Sequence, residues 1–159
     1  MIGALLLITL SPHGPYITLS YGNDDLFVHP TYKLQSLETN EYSLILKFYR
    51  RLAKTKQITY QTQFDCGVCF GQVNRLVCED FLDTGRNQVY ISFTHGETRS
   101  FVLDFDGARV KSIYSNTGAR VQTWLNYDDK RGYYILEREP RSNTFTKTWL
   151  KTHSVTRKR

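Results

Sequence analysis

The stretch from Cys78 to Leu125 constrains this chain most. Within it, short alternating apolar segments, Val89–Phe93, Phe101–Phe105, Val110–Tyr114 and Val121–Leu125, are separated by turn residues. An amphipathic helix needs apolar residues recurring at intervals of three and four over ten or more positions, and no such run fits between these breaks. Segments of about five residues, rich in aromatic and β-branched side chains and bounded by Gly, Asn, Asp and Ser, are strand signals. An aromatic fraction of 14% and a single Met point the same way.

The earlier part of the chain repeats the pattern. Leu5–Leu10 and Tyr16–Leu19 read as strands joined by the turn-rich Ser11–Pro15, and Gly22 and Asn23 supply the next turn. Leu26–Val28 and Tyr32–Leu37 read as two further short strands. Residues 43–53 have helical propensity, but their neighbours are strand-like, which predicts strand and turn here as well. Alternation over Ile58–Phe64 puts Ile58, Tyr60, Thr62 and Phe64 on one face. The expected fold class is all-β.

A spacing pattern suggests how the strands are grouped. Tyr16, Tyr60 and Phe101, spaced 44 and 41 residues apart, are each followed six or seven residues later by Gly22, Gly67 and Gly107. Beyond each glycine lies an apolar pair three residues apart: Leu34/Leu37, Cys78/Phe81 and Val121/Trp124. Three strand–turn–strand–loop–strand units at this period fit a β-trefoil, in which three pseudo-symmetric four-strand units close around an axis. The expected organisation is a trefoil domain over residues 1–126 and an extension over 127–159. In the extension, Tyr133–Leu136 supplies one more strand and Thr152–Arg159 forms a disordered basic tail.

Catalytic signatures do not emerge from the pattern. There is no Gly-rich dinucleotide or P-loop motif, no H-E-x-x-H and no G-x-S-x-G, and no cofactor is implied. Asp104 and Asp106 would share a strand face, as a paired-carboxylate site requires, but both flank Gly107 in a hairpin where Asp is an ordinary turn residue. Cys66 and Cys69 form a C-x-x-C; Cys78 and His95 could complete a zinc site, Cys78 could bridge to Cys66 or Cys69, or all three could be small buried hydrophobes in strands, which the strand context favours. An enzyme is not expected; a small one using the Asp pairs or the C-x-x-C is the remote alternative.

The formal charge of +6 suggests a polyanionic partner: nucleic acid, an acidic membrane surface or a sulfated polysaccharide. Basic residues gather in Lys47–Lys56, Arg109–Arg120 and the last eight positions. A trefoil would bring Arg109, Lys111 and Arg120 together. The N-terminal apolar run reads as a first strand, with a weak signal peptide as the alternative, and no transmembrane segment is expected.

The ordered motifs resemble the fibroblast growth factor family in a divergent form. The carrying residues are Cys78, Phe81-Leu82-Asp83, Asn87 and Tyr90-Ile91-Ser92, then Phe101-Val102, Gly107, Arg109 with Lys111, Gly118-Ala119-Arg120 and Trp124-Leu125-Asn126. Upstream, Tyr60 with Gly67-Val68-Cys69-Phe70-Gly71, Gly14-Pro15-Tyr16-Ile17-Thr18-Leu19 and Tyr32-Lys33-Leu34-Gln35 extend the resemblance over residues 1 to 126. It departs at Asn126, where the family has proline, at His13, and in a sparse basic loop where Asp106, Val110 and Tyr114 stand. The resemblance implies a secreted, extracellular signalling ligand that binds a receptor tyrosine kinase ectodomain with heparan sulfate. It implies receptor contacts at Asp83, Asn87, Tyr90, Leu125 and Tyr127 and heparin contacts at Arg109, Lys111 and Arg120. On this reading nucleic acid is not an expected partner and no membrane insertion is expected; an all-β module binding carbohydrate or nucleic acid through the basic loop and tail, without signalling, is the alternative expectation.

Overall fold

A computed structural model describes residues 9–11, 14–21, 24–70, 73–94, 98–116, 122–139 and 141–151. Among them the regular structure is entirely strand. A first sheet contains β1 (Thr9–Ser11), β2 (Gly14–Tyr21), β3 (Asp24–Ser36), β4 (Glu41–Arg51) and β5 (Ile58–Phe70). A second contains β6 (Arg75–Glu79), β7 (Gln88–Thr94), β8 (Thr98–Phe105) and β9 (Val110–Ser115). A third contains β10 (Gln122–Asp128), β11 (Gly132–Glu139) and β12 (Thr144–Trp149). Each sheet is an antiparallel meander whose strands pair in chain order.

The second sheet is covered on both faces. On one face Val89, Ile91, Phe101, Leu103 and Phe105 pack against Leu26, Val28, Leu44, Leu46 and Phe48 of the first sheet. Ring pairs Phe48–Phe105 and Phe64–Phe101, with centroids 5.1 and 5.3 Å apart, cross that interface. On the other face Tyr90, Val102 and Tyr114 pack against Leu125, Ile135 and Leu150. A strand buried on both faces needs no polar alternation, which is why Val89–Phe93 is almost continuously apolar.

Polar groups trapped between the second and third sheets are paired, as burial requires. Ser100 Oγ hydrogen-bonds Thr123 Oγ1. The Ser100 amide donates to Asn116 Oδ1 at 2.5 Å, and Asn116 Nδ2 donates to the Thr98 carbonyl at 3.0 Å. The Tyr114 hydroxyl donates to Glu137, and the Tyr133 hydroxyl donates to Glu79.

The all-β expectation holds, and residues 43–51 are strand. The β-trefoil is not confirmed by the topology. The ladders among the described residues join consecutive strands only, in sheets of five, four and three, whereas a β-trefoil needs equal four-strand units and closing ladders between them. The repeated positions also sit in unlike surroundings. Tyr60 is exposed on a strand face while Phe101 is buried; Leu37 is 82% exposed while Phe81 is 2% exposed. Gly67 lies inside β5 while Gly107 lies in a hairpin turn.

The expected boundary after residue 126 falls inside β10, and Leu125, Ile135 and Leu150 share one core cluster. Leu26–Val28 and Tyr32–Leu37, expected as two strands, are one strand running through Pro30. The β2–β3 ladder ends at Ile17↔Val28, so Pro30 lies where the described ladders bond β3 on one side only. A residue without an N–H is tolerated there.

β5 differs from simple alternation. Phe48 pairs with Thr62 but Tyr49 with Tyr60, leaving Gln61 as an extra residue that flips the pleat. Tyr60 and Ile58 therefore lie on the open side while Phe64 packs against the core. A second irregularity pairs Leu44 with Gly67 and Ile45 with Asp65, leaving Cys66 extra. Gly67 has φ +92°, a conformation that favours glycine, and its N–H donates to Asp65 Oδ1 at 2.8 Å. This bulge lets both Cys66 and Cys69, three apart, point into the core. The N-terminal apolar run over residues 1–8, His95, Arg120 and the basic tail after Lys151 lie outside the described residues.

Candidate functional site

The residues expected from resemblance separate into two groups. Tyr90 and Leu125 are core side chains, 1% and 7% exposed, although Tyr90 also borders a cavity beside Trp124. Asp83 and Tyr127 are exposed and border one depression of about 430 Å³, together with Asp129, Lys130 and Lys151. Asp83 pairs with Lys151, whose ammonium holds that carboxyl below its ordinary range. Tyr127 stacks on Tyr133 with centroids 4.9 Å apart. Asn87 is half-buried at the end of the loop that joins β6 to β7.

That loop is built from Asp80, whose carboxylate accepts the Thr84 and Gly85 amides at 2.8 and 2.6 Å. It is anchored by the buried Gln88, which accepts from the Leu82 amide at 3.1 Å and donates to the Arg86 carbonyl at 2.7 Å.

Arg109 and Lys111 are exposed on the β8–β9 hairpin. Asp106 shapes the turn by accepting the Ala108 and Arg109 amides at 2.8 and 2.7 Å, which lowers its own pKa. Asp104 instead forms an ion pair with Arg86, Nε to Oδ1 2.9 Å, and also meets Gln88. The two carboxylates considered as an acid/base pair thus each hold a separate structural contact.

All three cysteines are free thiols. Burial pushes the Cys66 thiol up to about 12, with Asp65 adding to the shift, and burial pushes Cys78 up to about 12. Burial of this kind disfavours the thiolate that nucleophilic chemistry needs. No cluster of His, Cys, Asp and Glu placed to hold a metal occurs among the described residues.

The most distinctive surface is one the expectations did not include. In the third sheet, Leu125, Tyr133 and Ile135 face the core, so the alternate positions face outward. The register lines those outward residues up in three rows. Gln122 pairs with Arg138, and Arg138 with Phe145; Trp124 pairs with Leu136, and Leu136 with Lys147; Asn126 pairs with Tyr134, and Tyr134 with Trp149. Trp124 and Phe145 are 40% and 55% exposed.

Cations lie over the rings of this face. The Arg131 guanidinium is 5.4 Å from the Trp149 centroid, Arg138 5.8 Å from Phe145, and Lys147 Nζ 4.9 Å from Tyr134. Tyr134 and Trp149 are themselves in contact at 4.9 Å. Among the described residues none of the three cations is in an ion pair and the buried Arg138 Nε has no hydrogen-bond partner.

A cavity of about 280 Å³ continues this face past the β10 edge. Its lining includes the buried Tyr90, Ser92 and Thr123 as well as Asn74, Arg75 and Trp124. The signal for the face was present in Thr144–Trp149, where Phe145, Lys147 and Trp149 alternate with threonines.

No family model, curated protein or solved structure matches this chain.

Proposed function

We propose that the chain is a non-catalytic recognition module that holds a polyanionic partner on the outer face of β10–β12. The observation that carries this reading is the three-row register, which sets Arg138 and Lys147 among Trp124, Tyr134, Phe145 and Trp149. Neighbouring strands are about 4.8 Å apart, so these cations lie well within a Debye length of one another and act on a partner together. Cations resting on rings are held in place yet remain available to anions, and the formal charge of +6 favours approach.

Retention on an immobilised sulfated polysaccharide across a salt gradient tests this reading. The Arg138→Ala/Lys147→Ala variant should elute at clearly lower salt with unchanged melting, while Arg109→Ala/Lys111→Ala should elute near the parent. If the hairpin variant is the one that loses retention, the contact surface lies at Arg109 and Lys111 and the proposal fails.

A second reading is a signalling ligand of the fibroblast growth factor type, secreted and acting with heparan sulfate on a receptor tyrosine kinase. It is favoured by the shared depression at Asp83 and Tyr127. It carries a β-trefoil with it, whose closing ladders would have to involve residues beyond those described. Saturable binding to such an ectodomain, lost in Tyr127→Ala, is its expected result; absence of binding with and without heparin removes it.

A further inference from the structure

We infer that the polyanion held on the β10–β12 face is single-stranded nucleic acid, with one unstacked base lodged in the cavity beside Trp124. This rests on the polyanion reading above and adds the class of ligand. Phosphate or sulfate needs only the cations, so the rings distinguish the candidates. Bases stack on exposed aromatic side chains with little sequence preference, and a single strand leaves them free to do so, whereas a duplex keeps them inside. Trp124, which is exposed, and the partly exposed Tyr134 and Trp149 lie in adjacent strands of one sheet face, with Arg138 and Lys147 at neighbouring positions for the backbone.

The cavity points the same way. It is bordered by Trp124, Arg75 and two amides, Asn74 and Gln122. Asn74 Nδ2 already donates to Thr94 Oγ1 at 2.8 Å, which leaves its carbonyl oxygen to accept. The edge of a base carries both donors and acceptors and so matches this amide lining. Trp124, 40% exposed, belongs both to the cavity lining and to the aromatic face, so a strand on the face can turn one base into the cavity.

The test uses the full chain and fluorescence anisotropy with a labelled oligothymidylate of about a dozen nucleotides. A blunt duplex of the same length and a heparin oligosaccharide serve as competitors. The expected result is binding of the single strand with quenching of tryptophan emission. It should exceed duplex binding at least about tenfold, with a log–log salt slope near −2 for about three phosphate contacts. Trp124→Ala should weaken single-strand binding roughly 5- to 150-fold, and Trp124→Phe, which keeps a ring, should restore most of it. Binding of heparin but not of the single strand overturns this inference and leaves the polyanion reading standing. Equal affinity for duplex and single strand, or an unaffected Trp124→Ala, also overturns it. Failure to bind any of the three overturns both.

Discussion

Ile135→Ala tests whether the third sheet is an integral part of the fold. Ile135 is on the central strand of that sheet and fully buried against Tyr90, Val102, Tyr114 and Leu125. Truncation removes three carbons, about 2.4 kcal/mol at roughly 0.8 kcal/mol per buried methylene, and the remaining cavity raises the expected loss to about 3–4 kcal/mol. For a chain of this length that corresponds to a fall in melting temperature of roughly 6–15 °C.

The chain contains two tryptophans, Trp124 on β10 and Trp149 on β12, so intrinsic fluorescence reports on the third sheet while far-UV circular dichroism reports on all three. If the sheets share one cooperative unit, both signals move together in Ile135→Ala. Phe105→Leu, in the other cluster, should also lower both midpoints. A fluorescence transition that separates from the circular dichroism transition, or a shift of less than about 2 °C, would refute the reasoning. It would instead favour residues 127–159 as an extension beside a separate domain.

Two further perturbations have a worked direction. Cys66 and Cys78 have pKa values raised on folding, so their contribution is fully present below the unfolded thiol value of about 8.5 and is lost as pH rises towards about 12. The urea midpoint should fall over that window, and Cys66→Ala/Cys78→Val should flatten the fall; a parent midpoint that is level to about pH 11 contradicts the burial of the thiols. Asp104→Ala removes the ion pair with Arg86, whose side chain is 17% exposed, and a Gln88 contact. Chemical denaturation should show a loss on the order of 3 kcal/mol, and a loss under about 1 kcal/mol means the pair is not structural.

Much of the secondary structure was legible because it depends on local pattern. Val89–Phe93 and Phe101–Phe105 announce themselves as strands, and their near-continuous apolarity reflects a sheet covered on both sides. Pairing was less legible, because a bulge depends on the partner strand. Nothing in Ile58–Phe64 alone reveals that Gln61 is extra against Phe48 and Tyr49, which is why four residues expected on one face divide between two.

The spacing of Tyr16, Tyr60 and Phe101 looked like a repeat, yet Tyr60 and Phe101 have opposite exposure; regular spacing of aromatics does not require equivalent environments. Tyr90 and Leu125 illustrate the same limit for sites. Their place in a motif said nothing of the second layer that covers them. The aromatic and basic face was legible in the alternation of Thr144–Trp149, but its significance required the register that sets those residues beside Tyr134, Leu136 and Arg138.

The central claim is that the outer face of the third sheet is the contact surface. Amide chemical-shift mapping with a heparin oligosaccharide and an oligothymidylate in turn tests it most directly. The account predicts that perturbed amides cluster at Gln122, Trp124, Tyr134, Arg138, Phe145, Lys147 and Trp149, with Asn74 added for the oligonucleotide. Perturbations confined to the Asp106–Lys111 hairpin, or to Asp83 and Tyr127, would contradict it.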